Sequence, residues 1–167
     1  GDFTLTVNAT AAAEMPLSLR VPTWCTHFTA KAGKEVYTGT PDQLVTISRK
    51  WKQGEKITIH FDMPLQFIAG GKSYPGQMAI QRGPQVLAVD KSLNTAGVYD
   101  RMTAKDGSVQ LDTDSLVINK SSLPAGWIGK QAYSASILNK KERMILVPFA
   151  EASQTEGEIR VWLPLKT

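Results

Sequence analysis

Apolar residues in this chain recur with period two over short runs, a spacing that puts alternate side chains on one face of a strand and cannot form a helical stripe. Phe3, Leu5 and Val7 alternate with Thr4, Thr6 and Asn8; Leu17, Leu19 and Val21 with Ser18 and Arg20; Ile57, Ile59 and Phe61 with Thr58, His60 and Asp62. Strands with one greasy and one wet face suit antiparallel sheets rather than the near-continuous apolar runs of parallel ones. Further strands are expected over 27–31, 43–49, 65–69, 77–81, 85–90, 115–119, 132–138, 143–149 and 158–163. No amphipathic helix is legible: Ala11 to Ala13 is too short and is followed by Pro16, which reads as a connection between strands.

Breaker residues separate the runs at short intervals, at Ala32-Gly33-Lys34, Gly39-Thr40-Pro41-Asp42, Gln53-Gly54-Glu55, Asp106-Gly107 and Glu156-Gly157. Short strands with frequent turns predict an all-β antiparallel β-sandwich. The segment richest in breakers, Ala69-Gly70-Gly71-Lys72-Ser73-Tyr74-Pro75-Gly76, divides two groups of unequal character. Residues 1–70 are therefore expected to form a first sandwich unit, 71–76 a linker and 77–167 a second unit. The alternative is one sandwich with a long excursion, because the polar stretch from Asp90 to Asp114 carries only weak periodicity.

With 167 residues the chain has room for one compact domain or two very small ones, and 42% hydrophobic content is enough for a core. The lone Cys25 excludes an internal disulfide framework and a thiolate zinc cluster made by this chain alone. A net charge of +4 is far from the clustered basic stripe of nucleic-acid binders, so no nucleic-acid partner is expected. No stretch approaches the run of about 18 apolar residues that spans a bilayer, so no membrane partner is expected either. The Gly1-Asp2 start, without an initiator Met, reads as an excised piece whose targeting signal has been cut away.

The constellations that could carry chemistry are weak. His27 and His60 lack second ligands at metal-binding spacing, and His60 falls on the polar phase of its strand. Cys25 and His27 share one strand face at i,i+2, but a nucleophile and base so close in sequence rarely reach usable geometry. The acid pairs Asp112/Asp114 and Glu156/Glu158 could flank a sugar if about 5–9 Å apart, yet both lie in polar turns with nothing apolar to raise a carboxyl pKa. No catalytic residue and no metal ligand is expected. The tryptophans Trp24, Trp51, Trp127 and Trp162 admit two readings, packing or interdomain contact on one side and stacking on a sugar face on the other; Trp162 is out of phase with Ile159, Val161 and Leu163.

Several motifs occur in order along nearly the whole chain. Leu17-Ser18-Leu19-Arg20-Val21-Pro22-Thr23-Trp24 resembles a family segment L-x-L-R-I-P-x-W, and Ile47-Ser48-Arg49-Lys50-Trp51-Lys52-Gln53-Gly54-Glu55 resembles I-x-R-x-W-x-x-G-D. Phe61-Asp62-Met63-Pro64-Leu65 is similar to L-P-M-P-L, and Met78-Ala79-Ile80-Gln81-Arg82-Gly83-Pro84-Gln85-Val86-Leu87 to V-A-L-Q-R-G-P-L-V-Y. Leu146-Val147-Pro148-Phe149-Ala150 and Val161-Trp162-Leu163-Pro164 fit the final strands. The family resembled is the β-L-arabinofuranosidases, glycoside hydrolase family 127 and its neighbours.

The resemblance implies a C-terminal β-sandwich region of a larger bacterial enzyme whose catalytic (α/α)6 barrel lies upstream in the same polypeptide. It places the zinc-held cysteine nucleophile in that barrel, so no cofactor is expected in this chain and the role does not pass to Cys25. It also places a further strand just before the present start, the loss of which leaves an unpaired sheet edge. The expected function is a non-catalytic accessory domain; the alternative is an autonomous carbohydrate-binding module for arabinose-containing plant glycans. Arg20, Trp24, Trp51, Arg82 and Trp162 are the expected docking residues toward the barrel, the two arginines because a guanidinium fork can cross an interface to a carboxylate or carbonyl. Trp127 and Trp162 are the expected sugar-binding residues. A homodimer of the parent is a further expected partner arrangement, and the parent is expected to be exported.

Overall fold

The computed structural model describes residues 1–9, 12–103, 116–123, 125–137 and 143–164. It divides into two units, Gly1–Pro64 and Leu65–Thr167.

The first unit contains β1 (Asp2–Thr6), β2 (Ala13–Arg20), β3 (Phe28–Ala32), β4 (Glu35–Gly39), β5 (Leu44–Trp51) and β6 (Lys56–Phe61). One antiparallel sheet has the order β1-β6-β3-β4, and β2 and β5 form a second, two-stranded sheet. The period-two pattern works as expected in β5 and β6: Val45, Ile47, Trp51, Ile57 and Ile59 are buried while the residues between them are mostly exposed. With Phe28, Ala30 and Ala32 of β3 and Val21 and Cys25, they form one core between the two sheets. Pro16 is tolerated within β2 because that strand pairs only with β5, leaving an edge where no ladder N–H is needed.

In β1 the greasy face is not buried. Phe3 opposes Ile59 and Leu5 opposes Ile57, yet Phe3 is 55% and Leu5 40% exposed. A two-stranded layer cannot cover a four-stranded one, so an edge strand keeps the right phase and still meets solvent; the Phe3 ring packs edge-on to Phe61 at 5.6 Å.

The second unit holds β7 (Leu65–Ala69), β8 (Gln77–Arg82), β9 (Gln85–Asp90), α1 (Ala96–Thr103), β10 (Leu116–Ser121), β11 (Ala132–Ile137), β12 (Arg143–Pro148), β13 (Ile159–Arg160) and β14 (Leu163–Pro164). Among the described residues these strands make one sheet of order β10-β11-β12-β9-β8-β14, with β7 on β8 and β13 on β9. Met78, Ile80, Leu87, Val89, Tyr133, Met144, Leu146 and Leu163 line its buried face, and Val98 and Tyr99 of α1 pack into the same cluster.

The all-β antiparallel expectation is met, with three corrections in detail. The expected linker 71–76 is the turn of a hairpin: Leu65–Ala69 pairs along Arg82–Met78, and Gly70 N donates to Gln77 O. The boundary thus falls between Pro64 and Leu65, six residues earlier. The weakly periodic stretch after Asp90 contains α1, whose apolar contribution is too narrow to stand out in sequence but suffices once a sheet offers a surface. The single strand expected over 158–163 is broken at Val161-Trp162, where the chain leaves β9 to pair with β8 at Leu163.

Candidate functional site

The most elaborated polar construction in the chain lies where β9 ends. Asp90 is fully buried, and its carboxylate accepts from Ser92 N (2.9 Å), Ser92 Oγ (2.6 Å) and Ser153 N (2.7 Å). Three donors on one carboxylate replace the water it has lost. Asn94 extends the clamp, donating through Nδ2 to Asp90 O (2.7 Å) and Ile145 O (3.1 Å) and accepting from Ile145 N (2.8 Å). Gly157 lies close to the clamp, where an added Cβ would sit a tight 3.2 Å from Asp90 Oδ1.

This clamp fixes the turn after β9 beside the 151–157 loop. Gln154 ties in a third loop, donating to Glu151 O (2.8 Å) and accepting from Ile128 N (2.8 Å). Between the three loops opens a cleft of about 360 Å³ lined by Ser92, Leu93, Trp127, Ile128, Gln154 and Thr155 among others. A second cleft of about 310 Å³ shares Ser92 and Leu93 with it. Ile128 stands 86% exposed at the first cleft. Trp127 Nε1 and, outside the cleft lining, Glu151 Oε2 are both buried with no hydrogen-bond partner among the described residues. Both crowd Gly129, where an added Cβ would lie 2.5 Å from Glu151 Oε2 and 3.1 Å from Trp127 Nε1.

Of the residues singled out in the sequence, only Trp127 lies in this cleft. Trp162 stacks on Tyr74 (4.4 Å between centroids, 15° between planes) and is half-buried, with Tyr74 43% exposed. Arg82 lies over the Tyr133 ring at 5.4 Å, and its Nη1 donates to Tyr133 Oη. Arg20 is exposed and pairs with Asp42 at 3.0 Å, and Trp24 is half-buried beside Phe61. Trp51 must be corrected as a docking residue: it is wholly buried in the core of the first unit, with Nε1 donating to Met15 O (2.9 Å) and Arg49 over its ring.

The weaker constellations resolve plainly. Cys25 is buried and its thiol donates to the His27 backbone carbonyl, whereas the His27 ring is turned outward beside Asp62, so thiol and imidazole form no dyad. His60 is exposed and pairs with Asp2 at 2.7 Å. Antiparallel pairing brings these two His–Asp pairs to one end of the first unit's larger sheet, yet among the described residues no group of three His, Cys, Asp or Glu is placed to hold a metal ion. Glu156 and Glu158 are exposed, and Asp112 and Asp114 lie outside the described residues.

Asp62 supplies a pH-dependent element. Thr26 Oγ1 donates to its carboxylate at 2.8 Å and His27 adds a second contact, and these bonds to the charged form hold Asp62 below the usual carboxylate range. Its contribution is therefore present above the ordinary carboxyl value of about 4 and is lost as pH falls through the lower folded value. Acid unfolding followed by circular dichroism should show the parent chain losing stability over that window more steeply than Asp62→Asn. Identical acid limbs would refute this role.

Residues 1–63 match the family model of the beta-L-arabinofuranosidase, GH127 middle domain, ending one residue short of the boundary of the first unit. Among curated proteins there is no significant match. Solved structures are similar over nearly all of this chain. The crystal structure of a GH127 beta-L-arabinofuranosidase from Geobacillus stearothermophilus T6 is 21% identical with a TM-score of 0.69, over 99% of this chain and 29% of that one. A glycoside hydrolase is 18% identical with a TM-score of 0.71, over 100% and 30%. The GH127 beta-arabinofuranosidase BT3674 is 18% identical with a TM-score of 0.67, over 99% and 30%. The chain thus spans about 30% of the length of the structures it matches. Residues 1–63 thus match a GH127 middle-domain model, and the fold of nearly the whole chain is similar to that of these structures.

Proposed function

We propose that this chain is the non-catalytic accessory β-sandwich region of a β-L-arabinofuranosidase-like glycoside hydrolase, packing on a catalytic (α/α)6 barrel carried elsewhere in the same polypeptide. The observation that carries this reading is the coincidence of the matched middle-domain segment, residues 1–63, with the independently defined first unit. The placement of Cys25 supports it, because the buried thiol donates to the His27 carbonyl while the His27 ring turns outward to Asp62. The zinc chemistry that the resemblance implies belongs to the barrel in this reading. Arg20 and Trp24 remain the docking residues in the first unit and Arg82 and Trp162 those in the second.

The test compares three proteins on a nitrophenyl β-L-arabinofuranoside: this chain, the full-length parent, and the parent lacking these residues. This chain should release nitrophenol no faster than buffer, and the truncated parent should lose activity together with thermal stability. Turnover by this chain alone, abolished in Cys25→Ser, would overturn the proposal.

A further inference from the structure

We infer that the cleft beside Trp127 is a binding site for a neutral glycan, with the indole as its platform and Ser92, Gln154 and Thr155 as its hydroxyl-reading groups. The cleft volume of about 360 Å³ is at the small end of ligand sites, room for one sugar ring rather than a peptide helix or a nucleotide. The adjoining cleft that shares Ser92 and Leu93 offers room for the next ring of a chain.

The lining decides the chemical class. Trp127, Leu93 and Ile128 present apolar surface, while Ser92, Gln154 and Thr155 are uncharged donors and acceptors, and among the described residues no Lys, Arg, Asp or Glu lines the cleft. An anionic or cationic ligand would have no counter-charge there, whereas a sugar ring has one face of C–H groups for the indole and a rim of hydroxyls for the polar side chains. Ser92 Oγ spends its proton on Asp90 and so faces a ligand as an acceptor. Ile128, 86% exposed, has no packing role in the fold that would account for an isoleucine at that rim.

This inference stands apart from the accessory role, since the cleft is contained within the second unit.

The test is calorimetric titration of the full chain with arabino-oligosaccharides and xylo-oligosaccharides, from mono- to tetrasaccharide. Saturable binding that strengthens from the monosaccharide to the di- or trisaccharide is expected. Trp127→Ala should weaken it about tenfold or more, the loss of one aromatic platform. Ile128→Asp, at a site too exposed to threaten folding, should weaken it several-fold, and Trp24→Phe in the first unit should leave it unchanged. The absence of saturable heat with both series overturns the inference. So does an unaltered Kd in folded Ile128→Asp and Trp127→Ala.

Discussion

Trp51→Ala should unfold the first unit. The side chain is fully buried, and truncating a buried tryptophan costs about 3–5 kcal/mol through lost transfer energy and the cavity left behind. The Met15 carbonyl loses its indole donor and the Arg49 guanidinium loses the ring beneath it. A unit spanning Gly1–Pro64 has a total stability of only about 3–10 kcal/mol by the usual scaling, so the loss takes from about a third to all of it. Urea unfolding followed by circular dichroism should show the transition of this unit moved to very low denaturant or absent. Trp51→Phe, which keeps much of the volume, should recover part of the shift. A Trp51→Ala variant with a native-like midpoint would mean that the core between the two sheets does not depend on this side chain.

Asp90→Ala is expected to be nearly as damaging in the second unit. It strands Ser92 N and Ser153 N and removes the acceptor of Ser92 Oγ around a carboxylate that is itself wholly buried, although both serines reach the surface. At about 1.5–3 kcal/mol for each hydrogen bond to a charged group, the total should reach about 3 kcal/mol or more. Asp90→Asn should lose less, because one oxygen still accepts while the amide NH₂ now faces a donor. Hydrogen exchange gives the sharper readout: the Ser92 and Ser153 amides should lose protection in Asp90→Ala before the β11–β12 ladder does. Since these residues anchor two of the three loops around the cleft, sugar binding should fall with them. Retained protection at Ser153 would show that the loop is held by other contacts.

The same clamp shows where sequence reading stops. Trp127 was marked by its type alone, because a large amphipathic ring is conspicuous wherever it stands. Ser92 and Gln154 carry no periodicity, and the loops that hold them meet because Asp90 accepts from Ser92 N and, 63 positions along the chain, from Ser153 N. Trp51 failed in the opposite direction. In sequence it ends a strand next to Arg49 and Lys50 and looks like a rim residue, but β2 arrives alongside and Met15 supplies its hydrogen bond from 36 residues away.

By itself the sequence determined the strands, their phase in β5 and β6, the antiparallel class and the family motifs, because alternation and turn chemistry are properties of neighbours along the chain. Tertiary structure alone decided which strands had partners. The 71–76 segment could be a linker or a hairpin turn until Leu65–Ala69 found β8, and the period-two face of β1 could be core or surface until the width of the covering sheet was known. It also decided that the apolar residues of 96–103 make a helix, since so short a helix holds only against a sheet that buries Val98 and Tyr99. Burial and ligand geometry are properties of pairs distant in sequence, and a local pattern carries no record of them.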